Sequence, residues 1–103
     1  MKNNFFYLLI FFICTNFFSP LKSDEVFNIG KNIFVTSDCV TCHTLSNAGS
    51  KGQIGPNLDE IRPGKDRVIY AVTNGIGVMP AYDGILSSSE IKAVAKYVSE
   101  KSN

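Results

Sequence analysis

Past residue 23 the chain is poor in metal-binding and redox side chains: two cysteines, Cys39 and Cys42, and one histidine, His43. A structural zinc site asks for four Cys or His ligands, so one copy of this chain falls a ligand short. Apart from the initiator there is one methionine, Met79. No stripe of basic charge runs through the sequence, which excludes the electrostatic footprint of a nucleic-acid binder. No apolar run reaches the roughly 20 residues that a spanning helix needs. The whole chain has 103 residues, which bounds it at one domain.

What is present is concentrated in Cys39-Val40-Thr41-Cys42-His43. C-x-x-C-H is the attachment pattern of a covalently bound c-type haem. Each thiol adds across one haem vinyl group, and the two-residue spacer sets the sulfurs a porphyrin edge apart on a short turn. His43 then aims its imidazole at the iron, and its other ring N–H needs an acceptor that fixes tautomer and orientation. Three other readings attach to a bare C-x-x-C. A thioredoxin-like pair needs a βαβ setting, whereas the residues after His43 form a polar, Gly-containing loop. Half of a zinc site lacks its remaining ligand. A disulfide across two residues closes too small a loop to gain much chain entropy, and it leaves His43 unexplained.

The N-terminus supports the haem reading. Lys2 precedes an apolar run over residues 5–18, and Ser19-Pro20-Leu21-Lys22-Ser23 makes a polar exit. That is the layout of a secretory signal peptide. Residues 1–23 are expected to be cleaved, leaving 24–103 as the working domain. A retained membrane anchor is the alternative, because Leu21 stands where alanine is usual. Cys14 lies within the run and is expected to leave with it. Covalent haem attachment takes place outside the cytoplasm, so the expected compartment is the periplasm. The full chain carries a formal +1, but from Asp24 onward eight basic residues face nine acidic ones. A domain of about 80 residues sits near the limit for a self-sufficient core, and a buried haem would complete it.

Along the chain, residues 24–35 read as a helix with Val26, Ile29 and Ile33 on one face. Gly30 inside it costs about 1 kcal/mol against Ala. Close approach of another helix is a reason for it, and simple tolerance is the alternative. Residues 44–57, rich in Gly and ending in Gly55-Pro56-Asn57, read as loop wrapped round a haem edge. Pro56 has a carbonyl and no N–H, so it is the expected acceptor for Nδ1 of His43; the alternative is a merely rigid turn. Residues 58–61 suggest one helical turn closed by Pro63-Gly64. Residues 66–74 suggest a short helix stopped by Asn74-Gly75, with Gly75 in the left-handed position that follows many helices. Residues 75–82 form a tight loop that holds Met79. A lone Met is usually a core gap-filler, but between Gly77 and Pro80 it can be aimed, and a thioether suits haem iron. Residues 86–101 read as the last helix. Ser87 and Glu90 form a capping box, and Ile91, Val94, Ala95 and Val98 make a core stripe. This stripe is expected to meet the first helix at Gly30 and Phe34, with Tyr97 against the Gly30 surface.

Taken together these residues resemble the class I cytochrome c family, over residues 26–98. The likeness rests on elements in order: Gly30-Lys31-Asn32-Ile33-Phe34, the C-x-x-C-H turn, Gly55-Pro56-Asn57-Leu58, Val72-Thr73-Asn74-Gly75, Met79-Pro80-Ala81-Tyr82 and the terminal helix through Tyr97-Val98. The C-terminal half is most similar to small bacterial and photosynthetic-type carriers. The resemblance implies an all-α fold of three to four short helices around one haem, with the first and last helices crossing. It implies thioether links at Cys39 and Cys42, His43 and Met79 as axial ligands, and the Pro56 carbonyl on the proximal His. Two features depart from the common pattern. No Trp is present, so none packs by a propionate, and the loop after His43 is short, which exposes more haem edge.

The implied role is that of a non-enzymatic one-electron carrier, since two axial ligands leave no open iron position. His/Met ligation also raises the reduction potential. A cytochrome subunit or electron-entry domain of a periplasmic redox enzyme or respiratory complex is the alternative, and a ligand sensor is a third. Expected partners are transient redox proteins: a respiratory complex, a terminal oxidase or a periplasmic oxidoreductase. No nucleic acid is expected, membrane only if the N-terminal segment stays, and the chain is expected to be a monomer. Lys51 and the rim of Val78, Pro80 and Ala81 are candidates for the docking surface, although a solvated lysine is the default.

Overall fold

The first helix is built around one close contact. The computed structural model describes residues 21–102, and its helix α1 spans Ser23–Thr36. Gly30, Ile33 and Phe34 are its buried residues. Asp24 and Glu25 sit in its first turn, where acidic charge suits the positive end of the helix dipole. The helix is one residue longer at each end than the sequence pattern suggests.

Four further helical segments follow among the described residues. They are α2 Cys39–Cys42, α3 Leu58–Ile61, α4 Lys65–Asn74 and α5 Ser88–Lys101. Both α2 and α3 are single turns, so the count exceeds the three to four expected from the resemblance. The last helix starts at Ser88 because Ser87 is extended, at φ −70° and ψ 163°. Its capping box is complete: the Glu90 N–H donates to Ser87 Oγ (3.1 Å), and the Ser87 N–H donates to Glu90 Oε1 (2.9 Å).

Helices α1 and α5 cross at Gly30. A Cβ there would overlap the Ala93 carbonyl oxygen and stand 2.9 Å from Cβ of Tyr97. Only glycine permits this approach. The Tyr97 ring, with no exposed surface, meets Phe27 edge-on at 5.1 Å and Phe34 at 5.8 Å between centroids. Burying side chains of this size stabilises by about 1.5–3 kcal/mol each. Phe34, Leu45, Val94 and Tyr97 form the fully enclosed centre.

The segment after His43 corrects the expectation of an irregular loop. Strands β1 Thr44–Leu45 and β2 Ser50–Lys51 pair antiparallel, with Thr44 opposite Lys51 and Leu45 opposite Ser50. A 3₁₀ turn, Ser46–Ala48, joins them. The hairpin forms because Leu45 is wholly buried and its N–H donates to Ser50 Oγ at 3.0 Å. Tyr97 Oη donates to Asn47 Oδ1 at 2.7 Å, which ties the hairpin tip to α5.

A second correction concerns Gly75. Its φ is 73° but its ψ is 161°, so it is not left-handed helical. This is a glycine-only region of the backbone. It turns the chain so sharply that a Cβ would stand 2.6 Å from the Met79 carbonyl oxygen. The 75–82 loop thereby folds back against the end of α4.

The expected leader, residues 1–23, lies outside the described residues except for its last three. Among the described residues no helix is long and apolar enough to cross a membrane.

Candidate haem site

The single turn α2 carries both cysteines, and no disulfide joins them. Asp38 starts the turn in a left-handed conformation, at φ 65° and ψ 13°, which aspartate tolerates better than most residues. His43 leaves the turn extended, at φ −113° and ψ 142°. Among the described residues the one sheet is the two-stranded antiparallel hairpin, so no βαβ unit surrounds the cysteine pair.

His43 is held from below. Its Nδ1 lies 2.7 Å from the Pro56 carbonyl oxygen. That oxygen can only accept, so Nδ1 donates and Nε2 keeps its lone pair. The Gly55 N–H donates to the Cys42 carbonyl at 2.7 Å, and this draws the chain in beneath the ring. A Cβ on Gly55 would stand 2.7 Å from Cε1 of His43. Glycine is needed here for closeness to the imidazole, a role that the sequence alone did not reveal. Thr44 Oγ1 donates to the Gly52 carbonyl at 2.8 Å and fastens the base of the hairpin beside it.

Met79 sits half-buried in the 75–82 loop. Its backbone exchanges hydrogen bonds with Ile76: the Met79 N–H to Ile76 O at 2.9 Å, and the Ile76 N–H to Met79 O at 3.2 Å. The Tyr82 N–H donates to Val72 O at 2.8 Å, and Tyr82 Oη donates to Ser37 O at 2.8 Å. The loop is therefore pinned both to α4 and to the exit of α1.

Cys39, Cys42, His43, Pro56 and Met79 all line one cavity of about 250 Å³. Val68, Val72, Val94 and Val98 make part of its apolar wall. Ile54, Ile76 and Val78 stand at its mouth, 68%, 59% and 87% exposed. Burial pushes the Cys39 thiol up to about 11, helped by the charges of Asp38 and Cys42. Burial also raises the Tyr82 hydroxyl, with Cys39, Asp38 and Cys42 adding to it. Two thiols on one turn, an imidazole with a free lone pair and a thioether share an apolar cleft, and this donor set fits a covalently attached haem. Val78 and Pro80 line the cleft, whereas Lys51 and Ala81 do not. Asp38 and Arg67 line it as well; nothing in the spacing of the sequence singles them out, because the folded-back loop brings the walls together.

The family model described as cytochrome c oxidase, cbb3-type, subunit III matches residues 25–98. A cytochrome c6 of Microcystis aeruginosa is 38% identical over 73 residues, which cover 67% of this chain and 89% of that protein. The cbb3-type cytochrome c oxidase subunit FixP of Bradyrhizobium diazoefficiens is 43% identical over 74 residues, covering 67% of this chain and 25% of FixP. The crystal structure of the c-type cytochrome SorU from Sinorhizobium meliloti superposes with a TM-score of 0.74 at 47% identity, over 78% of this chain and 94% of SorU. The chain therefore belongs to the class I cytochrome c family of electron carriers with a covalently bound c-type haem.

Proposed function

We propose that the chain is a periplasmic one-electron carrier. Its single haem c is attached through Cys39 and Cys42 and ligated by His43 and Met79. Residues 1–23 direct export and are removed, leaving 24–103 to work.

One observation carries the ligation reading. Nδ1 of His43 donates to Pro56 O at 2.7 Å, so Nε2 is free to ligate a metal while the ring is held in one tautomer. Met79 lines the same cleft, and a thioether is a soft ligand. When bound, the haem supplies a one-electron couple whose potential His/Met ligation raises. The chain does the rest. The apolar wall keeps water from the site, which disfavours the more highly charged oxidised state. Pro56 and Gly55 hold the imidazole, and Ile76 and Tyr82 hold the Met79 loop. His43 and Met79 would both hold the iron, which would leave no place for a substrate, so the role is transfer and not catalysis.

The partners are other redox proteins, met briefly at the exposed rim of Ile54, Ile76 and Val78. Weak redox encounters use small interfaces of this kind. The FixP likeness covers 25% of that protein, so membership of an oxidase does not follow from it.

Met79→Ala in the haem-loaded protein tests the proposal. The variant should bind carbon monoxide and lose its low-spin spectrum, whereas the parent should be inert and low-spin. A variant as inert as the parent would remove Met79 from the iron. Native-compartment purification tests the carrier role: a free monomer is expected, and a stable complex with an enzyme would contradict it.

A further inference from the structure

Two charged side chains line the cleft, and they stand on different elements. Asp38 opens the cysteine turn α2. Arg67 lies in the first turn of α4 beside Val68, which is buried. Arg67 is solvent-exposed at the rim. Among the described residues its side chain has no hydrogen bond or ion pair. A cation without a protein partner thus edges an otherwise largely apolar cleft.

Haem c is a dianion at its periphery, because it carries two carboxylates on the ring away from its vinyl groups. Links at Cys39 and Cys42 would hold the vinyl side at α2, and the carboxylates would then lie away from that turn and from the negative charge of Asp38. Arg67 is the one Lys or Arg side chain that the lining offers them. Its guanidinium is planar and matches a carboxylate with two parallel hydrogen bonds. The positive end of the α4 dipole adds charge of the same sign. The chain has no Trp, so no indole N–H serves as a donor there.

We infer that Arg67 binds a haem propionate and thereby raises the reduction potential of the site. The inference rests on the haem reading above. Neutralising a negative charge beside the ring makes adding an electron easier. Removing the cation leaves the propionate unpaired and lowers the potential.

The test is the reduction potential of the haem-loaded protein, as wild type, Arg67→Gln and Arg67→Lys, at low and high salt. Arg67 is exposed, so both variants should keep the parent's cooperative fold, which urea unfolding checks. The potential of Arg67→Gln should lie below that of the parent. At a fixed electrode potential its ratio of reduced to oxidised protein should fall on the order of threefold, the scale of a partly screened charge. Arg67→Lys, which keeps the charge but not the fork, should recover most of this. The gap should narrow in high salt. Equal potentials for parent and Arg67→Gln at low salt would overturn the inference, as would a fall that lysine does not reverse. If all three proteins are colourless, it is the haem reading that fails.

Discussion

Gly30 and Tyr97 touch where the first and last helices cross: a Cβ on Gly30 would lie 2.9 Å from Cβ of Tyr97 and overlap the Ala93 carbonyl. A backbone carbonyl cannot move aside without its helix. Gly30→Ala should therefore destabilise the protein by about 1–3 kcal/mol through overpacking, despite the better helix propensity of alanine. Urea unfolding of the haem-loaded protein measures it, and an unchanged midpoint would mean that the crossing is looser than described.

Tyr97 also reports on pH. Burial, reinforced by the negative charge of Asp59, raises its hydroxyl above the ordinary 10.0. A group whose folded value is raised contributes stability that is complete below its unfolded value and lost as pH climbs through the folded one. Tyr97→Phe should cost about 1 kcal/mol near neutral pH, from the lost bond to Asn47. The difference between parent and variant should shrink above about pH 10. Unfolding midpoints for both proteins across that range decide it, and a constant gap would refute the assignment.

The sequence made some of this legible and hid the rest. The crossing at Gly30, the Ser87–Glu90 cap and the C-x-x-C-H turn were legible because each rests on a short local pattern. The hairpin was hidden because strands of two residues have no periodicity, and its cause is the burial of Leu45 by distant helices. The shape of Gly75 was hidden too, since a glycine after a helix reads as left-handed whichever ψ it takes. Asp38 and Arg67 look like solvated charges in the sequence. They share a cleft because Tyr82 pins the Met79 loop to Ser37 and Val72.

Gly55 should be as intolerant as Gly30, with a different readout. A Cβ there would stand 2.7 Å from Cε1 and 3.0 Å from Nδ1 of His43. Gly55→Ala should tilt the imidazole, lengthen its bond to Pro56 and change the visible spectrum. A spectrum and potential identical to the parent's would show that the ring does not depend on this contact.

Ser87→Ala separates scaffold from site. It removes the oxygen that accepts the Glu90 N–H, and loss of such a cap costs about 1 kcal/mol. Urea unfolding should show that loss while the spectrum and potential stay those of the parent. A changed spectrum would mean that the start of α5 reaches the cleft in a way the geometry does not indicate.

The central claim is a haem joined to Cys39 and Cys42, and intact mass with a visible spectrum tests it most directly. Protein isolated from its native compartment should weigh as residues 24–103 plus one haem, resist acid–acetone extraction and absorb as low-spin haem in both oxidation states. A colourless protein from a host competent in haem maturation, with both thiols free to alkylation, would contradict it.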